Sequence, residues 1–105
     1  MSKTYKLPDN FIGKEDRERL ESFGGHTIAH GRATRWRWGK NDNGDDVFEI
    51  YRGGADESLA ARVHRDRERD SFFAQNELSQ PIGSGELDHV MAELEEYFSR
   101  LHGEC

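Results

Sequence analysis

Histidines and carboxylates are the residues of this chain best suited to chemistry, and their spacing decides whether they can act together. His26-Thr-Ile-Ala-His30 sets two imidazoles four positions apart. In an extended strand the pair shares one face, with His64 a conceivable third metal ligand. A catalytic zinc centre takes three protein ligands and a water, and nothing in the spacing brings His64 to the other two. Exposed or pairing histidines are therefore expected, and no metal site is assigned. Glu86-Leu-Asp-His89 contains one Glu-x-x-His spacing, which carboxylate-bridged di-metal bundles use twice. One copy cannot build that centre. With Glu93 and Glu96 these residues track the wet side of a helix, where His89 and Glu93 can pair across one turn.

Other motifs fail on their own chemistry. Aligning Gly44 with the glycine of a calcium loop puts Gly39 first and Ile50 last, and neither can donate a carboxylate. Gly53-Gly54 and Gly83-Ser84-Gly85 lack the lysine of a phosphate loop. Glu86 and Asp88 would repel an anion at the second of them. No spacing joins a nucleophile to a base. Cys105 stands at an anionic terminus that does not favour a thiolate. The expectation is a non-enzymatic protein with no cofactor.

Arginine and aromatic residues remain. Arg-Ala-Thr-Arg-Trp-Arg-Trp over 32–38 sets Arg35 and Arg37 on one side of a strand and Trp36 and Trp38 on the other. With one helix covering only one side of a sheet, the open side is expected to display Arg35, Arg37, Phe48, Tyr51, Arg62, His64 and Phe72. Aromatic surfaces rimmed by arginine serve protein interfaces and single-stranded nucleic acids. The bland alternative is cross-strand pairing of the arginines with Glu49 and neighbouring acids, which sheets use routinely.

The elements that hold these residues follow from periodicity. Leu87, Val90, Met91, Leu94, Tyr97, Phe98 and Leu101 recur at intervals of three and four, which predicts an amphipathic helix from Gly85 to about His102. Ser84 is its expected N-cap, and Leu87, Val90, Met91, Leu94, Phe98 and Leu101 are expected to face a sheet. Strands are predicted over His26–Trp38, with Gly31 a bulge or bend, and over Val47–Arg52, Ser58–Arg65 and Asp70–Gln75. Asn43-Gly44 suits the first hairpin turn. Leu59, Ala61 and Val63 are placed inward in the third strand. Pro81 and Gly83 speak against a further central strand in 76–83. A short helix over Lys14–Phe23 can precede the sheet, ended by Gly24-Gly25. The fold class is thus α+β: a four-stranded antiparallel meander with a C-terminal helix on one face, β-β-β-β-α. Residues 1–13 are expected to be a flexible arm, with Phe11 and Ile12 able to dock, and 14–105 a single domain.

With 105 residues, 33% hydrophobic and 34% charged, the core is small. Residues 26–75 carry nine basic and nine acidic side chains, and the surplus behind the net charge of −6 lies wholly in the last thirty residues. That balance disfavours wholesale wrapping by nucleic acid or an anionic membrane. No apolar run suits a membrane span or a signal segment, and the lone cysteine forbids an internal disulfide, so a cytoplasmic location is expected. Four strands then a helix over roughly 26–102 is similar in outline to the single-stranded-DNA-binding domain of a class of transcriptional coactivators. The resemblance lies in topology and in no motif, and it implies a strand-binding sheet. The sequence itself favours a protein-interaction module, a homodimer or a partner for another protein. Single-stranded nucleic acid is the disfavoured alternative.

Overall fold

The computed structural model describes residues 12–42, 44–53, 56–66 and 71–101. The order is α1 Lys14–Ala29, β1 Arg35–Lys40, β2 Asp46–Arg52, β3 Ser58–Asp66, β4 Ser71–Gln75, β5 Pro81–Gly85 and α2 Leu87–Leu101. All neighbouring strands pair antiparallel in one sheet, in sequence order. The expected four-stranded sheet is therefore corrected to five strands, with a helix at each end of the chain packed on the same face. The fifth strand escapes sequence reasoning because Pro81 and Gly83 argue only against a central strand. At a sheet edge the missing proline N–H costs no ladder bond.

The covered face is graded by size. One row of cross-strand partners runs Trp38, Phe48, Val63, Ala74, Gly83 from β1 to β5. A second begins Trp36, Ile50, Ala61. The helices complement that gradient. Over the bulky end lies α1, whose Gly24 comes so close that a Cβ there would sit 2.7 Å from Trp36 and 2.9 Å from Phe48. Over the small end lies α2, and the stem of Glu93 occupies the space above Gly83, 2.7 Å from where a Cβ would stand. Between the layers Ile12, Leu20, Phe48, Ile50, Val63, Val90, Leu94 and Phe98 lose essentially all contact with water. Arg19 of α1 pairs with Asp88 of α2 and links the two helices.

Several expected boundaries move for identifiable reasons. Residues 26–34 are not strand, because α1 continues through Gly24-Gly25 to Ala29. Its buried positions Leu20, Gly24 and Thr27 follow helical spacing, and Thr27 Oγ1 donates to the Phe23 carbonyl at 2.9 Å. The stop is Gly31, at φ +75° just after the cap His30. Gly31 N–H bonds the Ile28 carbonyl and Arg32 N–H the Thr27 carbonyl, at 2.9 and 3.0 Å, a pattern that closes a helix with a left-handed glycine. Ser84 lies in β5 rather than capping α2, and the Glu86 carbonyl accepts the first helical bond, from Val90. Leu101, expected to face the sheet, is 38% exposed and not part of the buried core. In β3 a register shift opposite Ile50/Tyr51 sets Leu59 beside Tyr51. The inward order of Ala61 and Val63 holds, but Leu59 falls out of it and Ala60 is buried instead.

A buried charge fastens Ile12 and the first turn of α1 to the first hairpin. Asp46, 5% exposed, accepts Lys40 Nζ at 2.6 Å, the Ile12 amide at 3.1 Å and Arg17 Nη1 at 3.4 Å. Burial works to raise its pKa. The Lys40 and Ile12 hydrogen bonds and the charges of Lys40 and Arg17 outweigh it and hold the carboxyl below its ordinary range. Of the expected arm 1–13, Ile12 is wholly buried and Gly13 is the N-cap of α1, and residues 1–11 with Phe11 lie outside the described residues.

Two stability measurements follow. Gly24→Ala should cost about 1–3 kcal/mol as overpacking. Gly25→Ala, where an added Cβ would meet nothing within 4 Å, should stabilise the helix by about 0.5–1 kcal/mol. Urea titrations of both variants read the opposite signs directly. Asp46→Asn should lower stability at neutral pH by about 1.5–3 kcal/mol. A carboxyl held lower when folded binds fewer protons than in the unfolded chain, so its contribution is present above about pH 4 and lost below it. The gap between Asp46→Asn and the parent should close in acid; a gap that persists there contradicts the assignment.

Candidate functional site

Alternation along the strands leaves one face of the sheet without a helix. Its side chains form rows set by the register. Arg35 stands beside Tyr51. The next row runs Arg37, Glu49, Arg62, Gln75, and the next Gly39, Val47, His64, Phe73, Ser84. Neighbouring strands lie about 4.8 Å apart, so each row holds its groups within reach of one another.

Charge on this face is layered by depth. Arg37 Nε donates to Glu49 Oε1 at 2.6 Å, and the Tyr51 hydroxyl donates to the same oxygen at 2.9 Å. Arg35 Nε donates to Glu57 Oε1 at 2.8 Å, while Thr34 Oγ1 holds the other oxygen at 2.9 Å. The arginine side chains are 48% and 56% exposed, against 26% for Glu57 and 17% for Glu49. Cations stand outermost and carboxylates beneath them. The Arg35 guanidinium caps the Tyr51 ring at 4.2 Å, with Arg37 at 5.8 Å from the same centroid. Arg37 has its pKa raised by the Glu49 hydrogen bond and charge, and Glu57 is lowered by the hydrogen bonds from Arg35 and Thr34. Burial first, then Glu49, raises Tyr51. Each group thus keeps the charge state that suits its partner.

Further along, Arg62 Nε donates to Gln75 Oε1 at 3.2 Å and Nη2 to Ser79 Oγ at 2.7 Å, both neutral partners. Beside it the His64 and Phe73 rings lie nearly parallel, 4.8 Å apart and tilted by 7°. Lys40, Asn41, Val47, Glu49, Arg62, His64 and Gln75 line a pocket of about 270 Å³ here. Val47 among them is 3% exposed. His64 Nε2 is sealed from water and has no hydrogen-bond partner. Burial, then the charge of Arg62, pushes the His64 pKa below the ordinary value; Asp45, Gln75 and Glu49 act the other way and are outweighed.

The structure therefore brings together Arg35, Arg37, Tyr51, Arg62 and His64 from the expected surface. Phe48 and Phe72 do not belong to it. Phe48 is fully buried under α1, and Phe72 is 8% exposed on the covered side. Phe73 supplies a ring in place of Phe72, beside the expected Tyr51. Of the two adjacent phenylalanines, one had to face out, and the sequence alone holds no register to choose between them. Glu57 and Ser79 are not foreseeable from alternation, because they reach the arginines from turns.

The remaining chemical candidates lie away from this face. His89 Nε2 stands 3.6 Å from Glu93 Oε2 one turn along α2. His26 and His30 sit in and just after the last turn of α1, not on a strand. Among the described residues no group of three or more His, Cys, Asp and Glu could hold a metal ion, and no helix is long and apolar enough to cross a membrane. No protein-family model, curated protein or solved structure matches the chain, so its own residues carry the functional argument.

The depressed His64 pKa has a measurable sign. The unfolded chain binds the proton more readily, so the benefit of a neutral ring is present above about pH 6.5 and lost as pH falls below it. Stability should decline from there toward pH 5, and His64→Phe, which keeps the stack on Phe73, should flatten that decline. An unchanged slope in the variant contradicts the assignment.

Proposed function

We propose that the open sheet face binds single-stranded nucleic acid, and that the chain is a binding module and not a catalyst. The observation that supports this is the layering of charge: Arg35 and Arg37 exposed above recessed carboxylates, beside Arg62 and the rings of Tyr51, His64 and Phe73. Guanidinium groups meet phosphates, and planar side chains accept stacked bases without regard to sequence. The acids of α2, Asp88, Glu93, Glu95 and Glu96, belong to the helical layer, so they orient an anionic strand toward the sheet. The expected cytoplasmic location is part of this proposal, since such strands are met there.

Self-association through the same face is the second reading. In its favour, Glu49 and Glu57 give the face both signs of charge. Against it, stable subunit interfaces have an apolar centre, and this face offers little. Val47 is already covered, and the exposed large apolar side chains among the described residues, Leu78 and Leu101, line a separate pocket beside Tyr97.

Labelled single-stranded and duplex oligonucleotides, titrated at several salt concentrations, test the proposal. Three arginine–phosphate contacts predict a slope of log affinity against log salt of about −2 for single strands. Arg35→Ala/Arg37→Ala should weaken binding and flatten the slope. Phe73→Ala should cost about 1–3 kcal/mol of affinity with the slope retained. Indifference of binding to the arginine pair, or no binding at low salt, contradicts the proposal. Sedimentation at several concentrations separates the second reading, for which dimerisation should itself depend on Arg35 and Arg37.

A further inference from the structure

We propose that His26 and His30 form a two-nitrogen chelating site on α1 for a late first-row divalent cation such as nickel(II), copper(II) or zinc(II). The site is independent of the sheet face and of any nucleic acid there. In a strand, four residues span about 13 Å, too far for two imidazoles to share an ion. On a helix the same four residues rise about 6 Å and point the same way. The two rings are 4.2 Å apart between centroids, with their planes at 50°, so modest ring rotation aims one nitrogen of each at a common point. Both residues are exposed, and a shallow, open depression lined by His26, Ser22 and Phe23 adjoins the first.

The position favours a cation. It is the C-terminal end of a 16-residue helix, where the aligned peptide dipoles place partial negative charge. Neutral imidazole is a ligand suited to zinc, copper and nickel, with affinity rising from nickel to copper. Two imidazole nitrogens leave the remaining coordination positions open to water. The ion is therefore exchangeable and can accept a donor from another molecule. Two anchored nitrogens also bind the folded helix in preference to the unfolded chain, which couples metal binding to stability.

Nickel(II) alone, titrated calorimetrically into the tag-free full chain at pH 7.5, is the test. The parent protein should bind one ion with micromolar affinity, and its melting temperature should rise with nickel. His26→Ala and His30→Ala should each weaken binding by about tenfold or more and abolish the thermal shift, since each leaves a single ligand. Both positions are exposed, so circular dichroism should show both variants folded. His89→Ala, which removes an exposed histidine from α2, should bind as the parent does. Millimolar binding by the parent, or equal binding by the His26 and His30 variants, overturns the proposal.

Discussion

A helix without a side chain at Gly24 can lie directly on Trp36 and Phe48, and the rest of the architecture follows from that contact. It brings α1 down on the bulky end of a face whose residues shrink from Trp38 to Gly83 across five strands. At the small end the approach is made the other way, with the strand giving up its side chain at Gly83 and the helix filling the gap with Glu93. Polar groups then fix the register of α1 on β1. Trp38 Nε1 donates to Glu21 at 2.7 Å, and the Arg17 guanidinium lies 4.1 Å over the same indole. Both tryptophans are thereby committed to the helical side.

That commitment makes the other face a surface. Strand alternation sends Arg35 and Arg37 wherever the tryptophans do not go. The acids among them are not competitors for a ligand so much as props: Glu49 holds Arg37 and Tyr51 together, and Glu57 holds Arg35 over the ring. Gly39 contributes by omission, since a Cβ there would stand 3.2 Å from the Glu49 carboxylate. Ordered guanidinium groups lose less conformational freedom on meeting a ligand than free ones would.

The legible part of the fold is the part written in strongly apolar residues. The α2 stripe from Leu87 to Phe98 and three of the four expected strands stand close to where periodicity puts them. The first helix is hard to read because its buried stripe is Leu20, Gly24 and Thr27, two of which carry no apolar signal and one of which reads as a helix end. Its true stop, Gly31, is visible in the sequence but resembles a bulge. The arginines, Tyr51, Arg62 and His64 follow from alternation alone. The ring from 72–73 does not, because adjacent phenylalanines are equivalent until pairing fixes the register. His26 and His30 change meaning entirely once the backbone beneath them is helical.

Division of the molecule into a helical side that builds and a sheet side that binds is best tested by amide chemical-shift mapping. Unlabelled single-stranded oligonucleotide would be added to ¹⁵N-labelled protein at low salt. The shifts should move first along β1 to β4, at Arg35, Arg37, Tyr51, Arg62 and Phe73, while the amides of α2 stay in place. Shifts confined to α1 and α2, or none at all at saturating oligonucleotide, would contradict it.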